Sequence, residues 1–558
     1  LASVSQLGRE VALGKFVGTI PAAPAGKRSF VYEGAAGNRM TLDWTAPILS
    51  PDQECRGNLR LLRARGRELV RNNPTAKHFL NLLATNVVGE RGIRYRARVR
   101  NNDGSLNTAI NRKIENAWNE WCKVGNCTVD GKMSFRQVQD LAIRTAAMDG
   151  ENFTRMVKGF SNKWGFALQL IDADQVDHLF TRAPKDNYAR PTLGTLNQEN
   201  NGQEVRLGVE VDSWGRPTAY YVNPGHPSDF GGSLLRQRIP ADQIVHTFDP
   251  YRPNQTRGLT AFHPVMITLK MLHGYTETEL VAARVGAAKM GFFENDPDTY
   301  DGPDQPTMPK RMEANPGIFE SLPPGVKFKE YLPQHPSNAF ENFVKSNLRL
   351  VASGLGASYN SLANDLIGVN YSSLRSGLLI ERDNWSVKQQ WFIEQFTAPI
   401  FDQWLGMALL SGALVLDSRD PARFREGVWL PRGWAWVDPL KDSQAAIIDI
   451  AAALKSPQRV VAERGEDLEE IYEEIAEAEK LAKKYGIVMN LNPPARPSTE
   501  KNPAEVQDDE TEEGLESGKE KDAETGNKST VVPIARAAGG PQWHIHIGHA
   551  PEERESLQ

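Results

Sequence analysis

The sequence predicts an α+β fold, and three features of its patterning carry that reading. Residues 58–149 place apolar side chains at helical spacing, and residues 152–222 break into short β-rich runs between turn signals. Beyond residue 260 long helices return, interrupted by a Pro/Gly-rich excursion. At 558 residues the chain exceeds one ordinary core, so about three domains are expected from typical domain size.

Taken in order, residues 1–57 read as an extended arm or, equally, as a disordered terminus. The segment Ile20–Arg28 (IPAAPAGKR) holds Pro, Gly and Ala where a core element would need periodic apolar residues. From Asn58 the spacing becomes helical, with Leu59, Leu62, Leu69 and Val70 on one side and Arg60, Arg63, Arg65, Arg67 and Arg71 around the rest. Asn73-Pro74 punctuates, and Phe79, Leu80, Leu82, Leu83 and Val87 carry a second helix that stops at Gly89. Twelve basic side chains lie between Arg56 and Arg100. They are read as a solvated face or a subunit–subunit ion-pair surface in preference to a nucleic-acid site.

Ile93–Val99 alternates like a strand. Ile110–Cys122 is helical with Trp118 and Trp121 as anchors, and Phe135–Asp149 is a helix capped by Ser134. The runs Asn152–Val157, Phe166–Ile171, Val205–Val211 and Ala219–Val222, with turn signals such as Asp212-Ser213-Trp214-Gly215, predict a mainly antiparallel sheet.

A helix then leaves the body (Thr260–Met290), and a second returns (Asn338–Leu355). Between them, Gly317–Leu322 and Val326–Leu332 flank Pro323-Pro324-Gly325 as a strand-turn-strand with little apolar content, marginal unless paired with a neighbour. A polar loop (Ala357–Asn370) leads to a long helix, Ser372–Leu410, which Pro399 is expected to kink. Its Trp385, Trp391, Phe392, Phe396, Phe401 and Trp404 are read as core, as are Trp429, Trp434 and Trp436 in a β-like return. Asp442–Tyr485 is helical, broken at Ser456-Pro457, and beyond Pro493-Pro494 the composition is acidic and poor in aromatics, as in disordered segments.

Charge and cysteine usage narrow the function classes. The formal net charge is −5, but residues 500–528 hold eleven acidic and four basic side chains (−7) and residues 529–558 add −1, leaving about +3 for residues 1–499. A nearly neutral body is not the footprint of a tight duplex-DNA binder. Three cysteines, Cys55, Cys122 and Cys127, make neither a disulfide framework nor a CxxC pattern, so a reducing compartment is expected. The N-terminus lacks the regions of a signal peptide and no run reaches the roughly 18 apolar residues of a membrane span, so a soluble, non-secreted protein without membrane contact is expected.

Two clusters invite a metal reading. Asp172, Asp174 and Asp177 in IDADQVD could ligate a cation, but an Asp-x-Asp at a strand end is ordinary turn and capping chemistry, and no His or Glu of matching spacing follows. His544, His546 and His549 in Gln542–His549 (QWHIHIGH) alternate with isoleucines and form a weak candidate for zinc, the alternative being a docking motif built on Trp543, Ile545 and Ile547. A metal-dependent hydrolase on either cluster is the enzymatic alternative. Against it, the sequence has no P-loop, no Gly-x-Ser-x-Gly, no HExxH and no paired Cys ligands, so no catalytic residues and no cofactor are expected.

Six segments, in a fixed order, resemble the portal proteins of tailed bacteriophages in the lambda-like group. They are RELVRNNPTAKHFLNLLATNVVGERG (67–92), DGKMSFRQVQDLAIRTAAMDGENF (130–153), LQLIDADQVD (168–177), GVEVDSWGRPTAYYVNPGHP (208–227), IPADQIVHTFDPYRPNQTRGLTAF (239–262) and GVNYSSLRSGLLIERDNW (368–385). The resemblance implies a homo-oligomeric ring, usually a dodecamer, at one capsid vertex around an axial channel for double-stranded DNA, assembled in the bacterial host cytoplasm and retained in the virion. It implies a wing (58–259 and 372–440), stem helices (260–290 and 337–356), a clip (291–336), a tunnel loop (357–371), a helical crown (441–490) and an acidic disordered tail (491–558). Implied partners are the terminase large subunit, the major capsid protein and scaffold, and a head-tail connector or adaptor protein.

Within that frame the stem should carry small residues where neighbouring copies pack. Leu280–Ala288 and Leu350–Gly356 have that composition, with Ala283, Ala287 and Ser353 as candidate contacts; two ordinary core helices of one domain fit the spacing equally well but leave the Pro-rich excursion between them unexplained. The tunnel loop would present Ser358, Asn360, Ser361, Asn364, Asp365 and Asn370 to DNA. Weak polar contact suits sliding, because each retained cation on phosphate adds affinity through counterion release.

Overall fold

The computed structural model describes residues 46–183, 203–229, 236–287, 291–295, 326–330, 339–367, 369–417, 421–434 and 439–487. The chain divides into two units, 1–485 and 486–558, and every element named below belongs to the first. Most of the expected arm and clip, and the whole of the tail with its three histidines, lie outside the described residues.

Helix α1 (Pro51–Asn72) opens on a capping box in which Ser50 and Gln53 satisfy each other's backbone N–H groups. Asn73 ends it and caps α2 (Pro74–Val87), its Oδ1 accepting from Ala76 N at 3.1 Å. Strand β1 (Arg94–Ala97) pairs antiparallel with a distant late segment, Gly427–Leu430. Helices α3 (Thr108–Trp121) and α4 (Phe135–Asp149) follow, α4 with the expected Ser134 cap reinforced by Gln137.

Two antiparallel sheets stand behind these helices. In one, β2 (Glu151–Lys158) lies between β3 (Phe166–Ile171) and β8 (Ile244–Phe248). In the other, β4 (Glu204–Arg206), β5 (Val209–Val211), β6 (Pro217–Val222) and β7 (Gln237–Pro240) run in sequence order. Val205–Val211 is therefore two strands, because Leu207 and Gly208 both take positive φ and turn the chain between them. Phe153, Ile171, Val209, Tyr220 and Ile244 fill a core of their own at these sheets.

Helix α5 (Met266–Ala287) begins six residues later than the spacing suggests. Thr260 is already engaged, its Oγ1 bonding Ala147 O at 3.2 Å, and Pro264 disfavours helical backbone at the residue before it. Strands β9 (Gly291–Asn295) and β10 (Val326–Glu330) pair antiparallel with each other, so β10 is partnered across the excursion; the partner expected from the sequence, Gly317–Leu322, lies outside the described residues. Helix α6 (Phe340–Leu355) returns, and α7 (Tyr359–Ala363) is a short turn inside the polar loop.

The long helix is continuous but altered at its proline. Helix α8 (Tyr371–Phe392) passes through a π turn at Ile393–Thr397 into α9 (Ala398–Leu410). Ala398 N donates five residues back to Ile393 O, and Gln395 O, which a proline at 399 cannot serve, accepts from Thr247 Oγ1 at 3.5 Å. One extra residue in the turn thus absorbs the expected kink. The aromatic residues beside it are core: Trp118 stacks on Trp121 at 4.9 Å and meets Trp404 at 4.9 Å, edge on. Each such ring contributes about 2–3 kcal/mol by burial. Trp391, Trp429 and Trp434 are only half-buried, and Trp436 lies outside the described residues.

After strand β11 (Gly427–Leu430), the chain ends its described part in α10 (Pro439–Ala451), α11 (Pro457–Glu463) and α12 (Leu468–Lys484).

Candidate functional site

The IDADQVD segment sits in a joint of arginines and carboxylates. Gly150 ends α4 at φ 95°, which puts Asp149 and Glu151 on either side of the helix-to-strand turn. A Cβ on Gly150 would fall 2.4 Å from the Leu259 carbonyl carbon, so glycine lets the Arg257–Thr260 segment lie against it. From α1, Arg63 reaches Glu151 at 2.7 Å and Asp174 at 2.5 Å, while Arg67 holds Asp149 through two nitrogens at 2.8 and 2.6 Å and Asp174 at 2.7 Å. His246 adds a bond to Glu151 at 3.0 Å from its place between Phe153 and Phe248.

Asp172, Asp174 and His226 form the one group among the described residues whose ligand atoms lie within 4.8 Å of one another. The histidine arrives from a loop 52 positions after Asp174, so sequence spacing did not show it; it stands 3.6 Å from Asp174. Both carboxylates are already taken by guanidinium groups, Asp172 by Arg67 at 3.0 Å and by its own capping bond to Asp174 N. A cation here would face two arginines at contact distance, so the donor set fits charge neutralisation and not a metal. With every carboxylate of the joint accepting from an arginine, none stands ready as a catalytic base.

The joint also corrects the reading of the basic stretch. Arg63 is 1% exposed, and Arg67, Arg94, Arg96 and Arg98 likewise find acidic partners within the chain, leaving Arg56, Arg60, Arg65 and Arg71 on the solvent face of α1. Arg63 shares the buried stripe of Cys55, Leu59, Gly66 and Leu69, a periodicity that could have singled it out.

The paired helices present a different surface. Tyr275 of α5 packs on Phe340 and Phe343 of α6 at 5.7 and 5.2 Å, and Gly354 lets the end of α6 approach Val265, where a Cβ would lie 2.5 Å from Cγ1. Beside and beyond that seam, Ile267, Met271, Leu280 and Val281 of α5 and Phe343 and Leu350 of α6 are exposed, from 51% to 75%. A cleft of about 280 Å³ lined by Thr268, Met271, Leu272, Tyr275, Phe343 and Asn347 opens on this side. Large apolar side chains left exposed around a helix pair suit a contact surface. Ala283 is half-buried and Ser353 exposed; the Ala287 side chain lies outside the described residues.

In the loop after α6, most of the singled-out polar groups are spoken for. Ser358 caps α7, and the hydroxyls of Ser358 and Ser361 donate to the buried Glu381 at 2.8 and 2.7 Å. Asp365 accepts from Tyr359 Oη at 2.8 Å and pairs with Lys345 at 3.3 Å; these bonds, the tyrosine's first, hold its carboxyl below the usual range. Asn370 caps α8, and Asn360 is half-buried. The polar reading passed over two exposed apolar side chains, Ile367 at 82% and Leu366 at 62%, which stand open along with Asn370 and with Asn364, the latter in left-handed conformation at φ 53°. The signal available was an apolar pair set between the turn formers Asn364-Asp365 and Gly368, with no period linking it to a core.

Comparison with known proteins gives the chain its relatives. The family described as "Phage portal protein, lambda family" matches residues 37–389. The probable portal protein of Halomonas phage phiHAP-1 is 38% identical over 483 residues, covering 84% of this chain and 90% of that protein. The portal protein of Escherichia phage N15 is 25% identical over 511 residues (83% and 92%), and portal protein B of Escherichia phage lambda is 25% identical over 474 residues (77% and 85%). With a family match across more than half its length and a relative at this identity, the chain belongs to the lambda family of phage portal proteins, a structural and not an enzymatic family.

Proposed function

We propose that the chain is the repeating subunit of a portal ring, a dodecamer in the family's usual form, set at a capsid vertex around a channel that double-stranded DNA crosses during packaging and ejection. The observation that carries this reading is the exposed apolar flank of α5 and α6. Six large side chains left in water by a single copy would be covered on two sides if the helix pair stood as the stem, shoulder to shoulder with its neighbours.

In this reading α5 and α6 are the stem, β9 and β10 belong to the clip, the two sheets with α1–α4, α8 and α9 form the wing, and α10–α12 the crown. The clip end receives the terminase large subunit and later the head-tail connector, while the wing meets the major capsid protein and scaffold during assembly in the host cytoplasm. The loop at 357–371 faces DNA, touching it through Asn364, Leu366, Ile367 and Asn370 more than through Ser358, Ser361 and Asp365. An uncharged, partly apolar tip offers phosphate no cation to hold it, which is what sliding requires. Nucleotide hydrolysis for packaging comes from another chain.

Native mass spectrometry with end-on particle imaging tests the reading. A closed ring of several hundred kilodaltons with a central hole is expected, and a chain that stays monomeric at high concentration would overturn it.

A further inference from the structure

The hairpin of α11 and α12 buries no apolar side chain; its one buried group is charged, Asp467 at 7% exposure. Two kinds of contact hold it to the body. The first is electrostatic. Arg94, Arg96 and Arg98 alternate along and just beyond β1 and so leave it on one face, with Arg112 of α3 nearby. Opposite them Asp467, Glu470 and Glu473 recur every third residue at the start of α12. Arg98 reaches Asp467 at 3.1 Å, Arg94 reaches Glu470 at 3.3 Å, and Arg96 and Arg112 pair with Glu470 and Glu473. A polar cleft of about 280 Å³ runs between the two rows.

The second contact is backbone on backbone. A Cβ on Gly433 would fall 2.1 Å from the Arg464 carbonyl carbon, Gly465 turns there at φ 75°, and Arg94 Nη2 donates to Gly465 O at 2.7 Å. The two contacts answer differently to salt. Partly exposed ion pairs are individually weak and are screened as ionic strength rises, whereas close steric packing of two glycines is not.

We propose that α11–α12 is a hinged arm, pivoting at the Gly433–Gly465 contact, where Arg94 stays bonded to Gly465 O, and latched to β1 and α3 by its carboxylate row, so that raised ionic strength opens it and strips Arg96, Arg98 and Arg112 of the carboxylates of that row. Opening leaves Arg96 paired with Glu115 of α3, at 3.0 Å, and makes a charge-balanced face more basic without unfolding any core.

The test uses spin labels on cysteines placed at Lys113 and Glu477, exposed residues outside the latch, in the full chain diluted with unlabelled copies. Burial pushes the native thiols up, to about 11 for Cys55 and about 12 for Cys127, with Cys122 raised as well, so they react slowly with the label. A single short distance is expected at about 50 mM salt, with a longer population rising to about half at about 1 M. The Glu470→Gln/Glu473→Gln variant should show the longer population already at low salt. A second label pair at Arg459 and Lys480, within the hairpin, should keep one distance throughout. One unchanged short distance at all salt concentrations and in the variant would overturn the latch, and dispersal of the hairpin distance would overturn the hinge by showing that the helices melt.

Discussion

Arg257 holds Glu151 along one edge of its guanidinium: Nε lies 3.0 and 2.8 Å from the two carboxylate oxygens and Nη2 lies 2.6 Å from Oε1, with both side chains fully buried. The same arginine donates to Leu207 O at 2.7 Å, so one side chain ties the start of β2 to the turn before β5. Arg257 also lies just upstream of α5, and the pair therefore fixes where the outgoing helix leaves the body. Desolvating two charges this completely recovers little net stability, and the gain is in specifying one arrangement of the joint.

Removing one partner should be costly. Arg257→Met leaves Glu151 buried with a smaller complement of donors, and a loss of about 3–5 kcal/mol is expected from breaking a buried pair. Urea unfolding of the unassembled subunit measures it. The double variant Arg257→Met/Glu151→Gln should recover part of that loss, because no uncompensated charge is left inside. An Arg257→Met subunit with the wild-type midpoint would show that the pair does not anchor the joint.

Acid should find the same pair. Burial alone would push the Glu151 carboxyl up, but Arg257, His246 and Arg63 together hold it well below its ordinary value of 4.5. A folded-state value depressed below the unfolded one stabilises the fold above about pH 4.5, and that contribution is lost as pH falls further. Glu210 adds to the same window, held at about 2 mainly by its bond to Arg238. The expected outcome is that Glu151→Gln is clearly less stable than wild type at pH 7 and that the gap narrows between pH 4.5 and 3. A constant gap across that range would refute the linkage.

Much of this fold was legible because its signals are local. The Ser134–Gln137 cap, Trp118 and Trp121 at helical spacing, and the turn at Asp212–Gly215 all act within a few residues of themselves. The joint was not legible for the opposite reason, since Glu151 and Arg257 are 106 positions apart and Arg63 and Asp174 are 111. Arg63 also looked like Arg60 and Arg65 until its place on the buried stripe of α1 was counted. In the loop, composition pointed to polar contact, yet bonds to Glu381 and Lys345 engaged Ser358, Ser361 and Asp365 and left Leu366 and Ile367 exposed beside Asn364. Sequence shows which groups are polar, while only the fold shows which are already satisfied.

Assembly should fail selectively at α5. Ala283→Glu places a carboxylate on the helix proposed to pack against neighbouring copies, where an unpartnered charge would have to be desolvated. In a single copy Ala283 is only half-buried, so the subunit should keep its melting temperature within a few degrees while sedimenting as a monomer. Ala287→Glu is expected to behave alike. Rings of normal size from both variants would move the subunit contact elsewhere on the helix pair.

The loop gives the sharpest test of the channel. Asn364 takes a left-handed conformation that lysine adopts at a cost of about 1 kcal/mol, so Asn360→Lys with Ile367→Lys is a cleaner pair than Asn360→Lys with Asn364→Lys. Ile367 is 82% exposed and anchors nothing, and its replacement should leave folding and ring formation intact. If this tip faces the duplex, the added cations bring phosphate contacts, each steepening the salt dependence of DNA affinity by about 0.9 in the log–log slope. Packaging in a reconstituted system should then slow at low salt and recover as salt is raised. Packaging at the wild-type rate in low salt, from rings that assemble normally, would mean that DNA passes without touching this loop.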